Sequence, residues 1–282
     1  LITKGLKIHK TIGSSILIAF FILAFFANPI RGAISAASSD PPLVNDAWYN
    51  TLSAINKDSG KNAIITSWWD FGHHFKALAD RPVTFDGTTQ SYSGAHWVGK
   101  ILMADNELQA IGILRMLDCG GESAYNALIK INNDTHLTIR ILNEITLLDE
   151  EKAVKKLREY ALSEQQIDNV ISYTHCSPPD AYFIASEDMI GKSGVWSHFG
   201  SWNFERADIW QNAREMQQDD AIDYMMKKFN YTKDKAENIY YEIQAITSDS
   251  EANSWVAPWP GYGGTINCNK NENGIYVCSN GL

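Results

Sequence analysis

Ala63-Ile64-Ile65-Thr66-Ser67-Trp68-Trp69-Asp70-Phe71-Gly72 is the stretch on which the reading of this chain turns. The apolar run at its start reads as a buried strand, and His73 to Ala79 after it reads as a short helix. Two adjacent indoles and a carboxylate are an unusual way to end a strand. Alternation sends Trp68 and Trp69 to opposite faces and leaves Asp70 at the strand's mouth. A carboxylate accepts hydrogen bonds and an indole N–H only donates. The three together make a polar and aromatic cup suited to a hydroxyl group. The competing reading is that the tryptophans simply fill a core, in a chain that holds nine of them.

Working outward, helical patterns dominate. Helices are expected over Asn45–Asn56, Ser93–Ala104 and Glu107–Asp118, the last with Leu108, Ile111, Leu114 and Leu117 at helical spacing and Gly120-Gly121 as its stop. Glu150–Leu162 follows, with Glu151 and Lys155 spaced to pair. Ser163 and Gln166 form a capping-box pattern that restarts a helix. Asp220–Phe229 and Lys233–Ile246 read as helices, with Thr232 capping the second. Ala181–Ala185 is a second buried-strand candidate. From Trp255 to Leu282, glycine, proline and asparagine imply irregular β structure. The expected fold is a mixed, helix-rich α/β domain with an irregular β-rich C-terminal segment.

The N-terminus differs in kind. Lys4, Lys7 and Lys10 precede a nearly uncharged stretch from Thr11 to Ile30, close to the roughly 20 residues of a membrane span. The basic flank places that end in the cytoplasm and the rest of the chain outside the cell. A cleaved signal peptide, with small residues from Ala33 to Ala37, is the alternative. The expected division is therefore a transmembrane segment over 1–31, a linker over 32–44, an α/β domain over 45–204 and an extension over 205–282.

A net charge of −9 argues against a nucleic-acid partner, since phosphate binding needs a basic surface. Four cysteines fit an exported domain. Cys268 and Cys278 flank a turn-rich run and could staple a hairpin, which would leave Cys119 with Cys176; three pairings are open in principle. No C-x-x-C spacing supports zinc.

A second stretch, Ser186-Glu187-Asp188-Met189-Ile190-Gly191-Lys192, runs on to Trp196-Ser197-His198-Phe199-Gly200-Ser201-Trp202. On a helix, Asp188 and Lys192 lie four apart and can pair, which by itself describes many solvated helix faces. With this segment in view, Trp68-Trp69-Asp70-Phe71-Gly72 resembles the W-W-D-x-G motif of the catalytic subunit of oligosaccharyltransferases, in their archaeal branch. Asp80-Arg81-Pro82-Val83, Asp86-Gly87 and the apolar N-terminal stretch agree with it, and the resemblance runs to about Phe204.

The resemblance implies that Trp68, Trp69 and Asp70 bind the hydroxyl of an Asn-x-Ser/Thr acceptor polypeptide. It implies that Asp188, Met189, Ile190 and Lys192 pack beside it, although Gly191 and Val195 stand where that second motif has Lys or Met and then an aliphatic residue or Lys, with Lys192 and Met189 displaced by one or two positions. It also implies a glycosyltransferase drawing its glycan from a lipid-linked oligosaccharide at the cell membrane. Its catalytic acids and a divalent metal, manganese or magnesium, are expected in a membrane domain, with no catalytic or metal-binding residue in this chain. A non-catalytic acceptor-binding module is the first alternative. An exported metal-dependent hydrolase using His73, His74, Asp70 and Asp86 is the second, although adjacent helical histidines point about 100° apart. Asn133-Asp134-Thr135 and Asn230-Tyr231-Thr232 are themselves glycosylation sequons.

Overall fold

The computed structural model describes residues 10–40, 42–90, 93–259, 267–270 and 276–279. The chain falls into two units, divided between Thr51 and Leu52. The first holds helix α1, Lys10–Ser39. Among the described residues no helix is long and apolar enough to cross a membrane, so the expected span over 1–31 is not supported. The uninterrupted apolar run is Ile16 to Ala27, closed off by Ser15 and by Asn28-Pro29. At 1.5 Å per residue such a run covers about 18 Å, short of a hydrocarbon core of roughly 30 Å. Most of the expected linker over 32–44 is helical. Residues 32–39 continue α1, because Ala33, Ala36 and Ala37 are strong helix formers.

Helix α2, Asp46–Asp58, ends in the second unit, where Leu52 and Ile55 are buried. Strand β1, Ile64–Thr66, then pairs in parallel with β2, Ala181–Phe183, setting Ile65 against Tyr182. On its other edge Ile65 bridges Val83 and donates its N–H to the Pro82 carbonyl at 2.9 Å. With both edges satisfied and Ile65 fully buried, β1 is the fixed rail from which the tryptophan motif starts. Strand β2 is an edge whose Ala181 and Phe183 are exposed, so the buried strand expected there is not buried.

Between the strands lie α3 (Gly94–Met103), α4 (Glu107–Gly120), α5 (Ser123–Asn132), α6 (Thr135–Ile145), α7 (Glu150–Glu159) and α8 (Glu164–Thr174). Their boundaries follow from capping chemistry. The side chains of Asn106, Asp134, Asp149 and Ser163 each accept a backbone N–H at a helix start. The capping box at Ser163 and Gln166 is present, and Gly121, at φ 53°, ends α4. The apolar faces meet in a core of Trp97, Ile113, Met116, Leu128, Leu142 and Leu157. A disulfide between Cys119 and Cys176 ties the end of α4 to the segment after α8.

After β2 come α9 (Asp188–Gly191) and α10 (Ser193–Gly200). Helices α11 (Phe204–Ala213), α12 (Gln218–Phe229), α13 (Lys233–Ala245) and α14 (Asp249–Val256) follow, with a separate core around Ile209, Ile222, Met225 and Ile243. The irregular β structure expected from Trp255 begins later, since α14 runs through Val256. Strands β3 (Asn267–Lys270) and β4 (Tyr276–Ser279) pair antiparallel with Cys268 opposite Cys278. The side chains of the expected second disulfide lie outside the described residues. The fold is helix-rich, and among the described residues its parallel β component is β1 with β2 and the bridge to Val83.

Candidate functional site

The motif does not continue the strand. Trp68 is extended, at φ −64° and ψ 144°, and leads into a 3₁₀ turn over Trp69–Phe71. Trp68 thereby turns inward, 3% exposed. Its ring meets Phe85 edge-on at 5.4 Å and lies 6.4 Å from Phe199. Trp69 and Asp70 turn the other way and are half-buried at the surface. Core packing thus describes Trp68, while Trp69 and Asp70 stay partly open to solvent.

Gly72 is required by close approach. A Cβ there would lie 2.4 Å from the Asp86 Cβ and 2.8 Å from the Phe85 carbonyl oxygen. Behind it a π-helical turn, Phe75–Ala79, ends at Asp80, which is left-handed at φ 52°. Arg81 fixes this turn from beneath. Its buried guanidinium donates to the carbonyls of Asn56 at 2.6 Å, Ser59 at 2.7 Å and Asp80 at 2.8 Å. Such a donor fork holds backbone in place and leaves nothing to offer a ligand.

The second segment arrives through a glycine crossing. A Cβ on Gly99 of α3 would sit 2.3 Å from the Trp196 carbonyl, and one on Gly200 of α10 would sit 2.5 Å from the Gly99 carbonyl carbon. The two helices therefore touch backbone to backbone, and α9 is held against the motif turn. Met189 is buried, its carbonyl accepting from the Trp196 indole at 2.8 Å, whereas Ile190 is 53% exposed.

Lys192 joins the two segments. Its ammonium lies 2.7 Å from an Asp188 oxygen and 2.8 Å from an Asp70 oxygen, and 5.8 Å from the centre of the Phe71 ring. The Asp188–Lys192 pair was legible from spacing; the reach to Asp70 was not, because it spans two segments joined only by the fold. Burial pushes Asp188 upward, but the hydrogen bonds from Lys192 and Ser186 outweigh it and hold this carboxyl below its ordinary range. Burial likewise pushes Lys192 down, and the bonds to Asp188 and Asp70 raise it above its usual value.

The histidines do not assemble a metal centre. His73 Nδ1 is 3.9 Å from Asp86, but Lys76 forms an ion pair with that carboxylate and the Thr88 hydroxyl donates to it at 2.6 Å. Burial acts to raise Asp86, yet these partners hold it far below the carboxylate range. His74 lies against the Phe71 ring. Among the described residues no three of His, Cys, Asp and Glu are grouped to hold a metal ion.

Comparison with known proteins points the same way as the motif. The chain is 38% identical over 170 residues to the dolichyl-phosphooligosaccharide-protein glycotransferase of Methanococcus voltae, covering 58% of this chain and 18% of that protein. It is 39% identical over 169 residues to the protein of that name from Methanocaldococcus jannaschii, with the same coverage. A dolichyl-phosphooligosaccharide-protein glycotransferase 2 from Pyrococcus furiosus is 24% identical over 40% of the chain. The chain thus spans about a fifth of the length of the two methanogen relatives. No family model matches it, and no solved structure does.

Proposed function

We propose that this chain is the acceptor-recognition part of an oligosaccharyltransferase, which moves a glycan from a lipid-linked donor to Asn in Asn-x-Ser/Thr. The names of the relatives support the reaction class and a lipid carrier, and a lipid-borne donor supports work at a membrane. The observation that carries the site assignment is the placement of Asp70. One of its oxygens faces Lys192, and its side chain remains 26% exposed beside Trp69. Asp70 can then accept the proton of a Ser or Thr hydroxyl while the Lys192 ammonium holds the carboxylate in place. Asp188 acts on Lys192 and so positions the pair. Met189 and Trp68 fix the floor from within the core.

A divalent metal does not fit the described residues, so no step is assigned to one here. The test is glycan transfer by the complete enzyme. Asp70→Ala should abolish transfer to sequon peptides and leave binding of the lipid-linked donor unchanged. Ordinary turnover in that variant would refute the assignment.

A further inference from the structure

Next to the motif lies a cavity of about 620 Å³, whose wall includes Phe199, the residue packed on Trp68. We propose that it binds an uncharged saccharide. Its volume lies within the roughly 300–1,000 Å³ of small-molecule sites, and its lining divides into two kinds of surface. Phe199, Trp202 and Tyr125 supply flat aromatic faces, while Gln90 and Asn126 supply exposed amides, each both donor and acceptor. Glu122 adds a carboxylate that takes the Ser93 hydroxyl at 2.7 Å on one oxygen. A pyranose has the matching anatomy: apolar C–H faces that lie on rings, and an equatorial belt of hydroxyls that both donate and accept.

Charge narrows the class. Among the described residues no Lys or Arg lines this cavity, whereas the neighbouring one, of about 390 Å³, is lined by Lys100 and Arg140. A uronic acid or a phosphate would be drawn to the second cavity, and a neutral hexose or N-acetylhexosamine fits the first. A polypeptide fits less well. The cavity is walled by side chains of α5, α6 and α10 and offers no open strand edge for a main chain to pair with. The wall also holds an unused buried acceptor or donor. His96 is 7% exposed, its Nδ1 is 3.0 Å from the Phe199 carbonyl oxygen, and its Nε2 has no partner.

The choice of a saccharide rests partly on the transferase reading, so its test avoids Asp70. The full chain is titrated with N,N′-diacetylchitobiose, followed by protein NMR and calorimetry. Saturable binding is expected, with shifts confined to α5, α10 and the segment before α3. Trp202→Ala should weaken it by roughly tenfold or more. Because Trp202 also meets His198 edge-on at 5.6 Å, the exposed Asn126→Ala is the second variant; it should weaken binding several-fold with unchanged thermal unfolding. Asp70→Ala should bind the disaccharide as the parent does, so loss of peptide recognition and loss of saccharide binding report separately. Three results would overturn the proposal: no saturable binding of diacetylchitobiose or maltose, binding indifferent to both cavity variants, or displacement by an Asn-x-Thr peptide, which would assign the cavity to polypeptide.

Discussion

Among the described residues two lysines each bridge a pair of aspartates, and only one of the bridges resembles a binding site. Lys192 spans Asp70 and Asp188 at 2.8 and 2.7 Å. Lys228 spans Asp134 and Asp208 at 2.9 and 2.5 Å. The difference lies in what else each carboxylate does. Asp134 also caps α6 through the Leu137 N–H, and Asp208 also accepts from the Tyr224 hydroxyl. Asp188 accepts from Ser186 as well as from Lys192. Asp70 has Lys192 as its ion-pair partner and keeps its remaining acceptor capacity open beside Trp69. An ion pair marks a fold; a carboxylate with lone pairs to spare, held still by an ion pair, marks a site.

That contrast can be broken most forcefully at Asp70. Asp70→Ala should cost at least about a hundredfold in transfer to sequon peptides, because the acceptor hydroxyl loses its partner, while thermal unfolding moves little. Asp208→Ala should do the reverse. It leaves Lys228 with one carboxylate and the Tyr224 hydroxyl without its acceptor, costing about 1–3 kcal/mol in chemical denaturation, with peptide affinity unchanged. Lys192→Met should lower peptide affinity by roughly tenfold, since Asp70 loses the cation that fixes it.

The pH dependence follows from the signs. Asp188 is lowered and Lys192 raised. The carboxylate's contribution is present above its ordinary range and lost only as pH falls below it. The lysine's is present below its ordinary value and lost only as pH rises above that value. Peptide affinity should therefore be flat between about pH 5 and 9.

The smallest effect comes from a carboxylate without a lysine. Asp118 has one buried oxygen with no partner, and burial pushes its pKa up from 3.8 to about 6 against a hydrogen bond from Thr66. Its folded pKa lies above its unfolded one, so the charged form is penalised above about pH 6 and the penalty fades as pH falls toward 3.8. Asp118→Asn should stabilise the protein by roughly 1 kcal/mol at pH 7.5, after discounting for solvent screening, and by little at pH 4. Denaturant titrations at the two pH values check it.

Much of this arrangement was legible in the sequence, and the failures have physical causes. Thr232 caps α13 and Ser163 caps α8 as their side chains require, and Gly121 stops α4. Helices α5, α6, α11 and α14 are not marked by the local patterns. Asn133-Asp134-Thr135 fits the sequon pattern, and it is also the left-handed end of α5, at φ 49°, joined to the cap of α6. The opposite facing of Trp68 and Trp69 follows from alternation, whereas the burial of Trp68 does not: the strand ends and a 3₁₀ turn begins at Trp69. The contact of Lys192 with Asp70 depends on the glycine crossing of α3 and α10, a tertiary fact that no local spacing encodes.

The most direct test of Asp70 as the hydroxyl acceptor is a comparison of two peptides, Asn-x-Thr and Asn-x-Val, whose third residues share a shape and differ by the hydroxyl. Their affinities for the parent protein and for Asp70→Ala form a cycle that isolates the contact. Strong preference for threonine in the parent, collapsing to near equality in the variant, is the predicted outcome. An undiminished preference in the variant would place hydroxyl recognition elsewhere in the molecule.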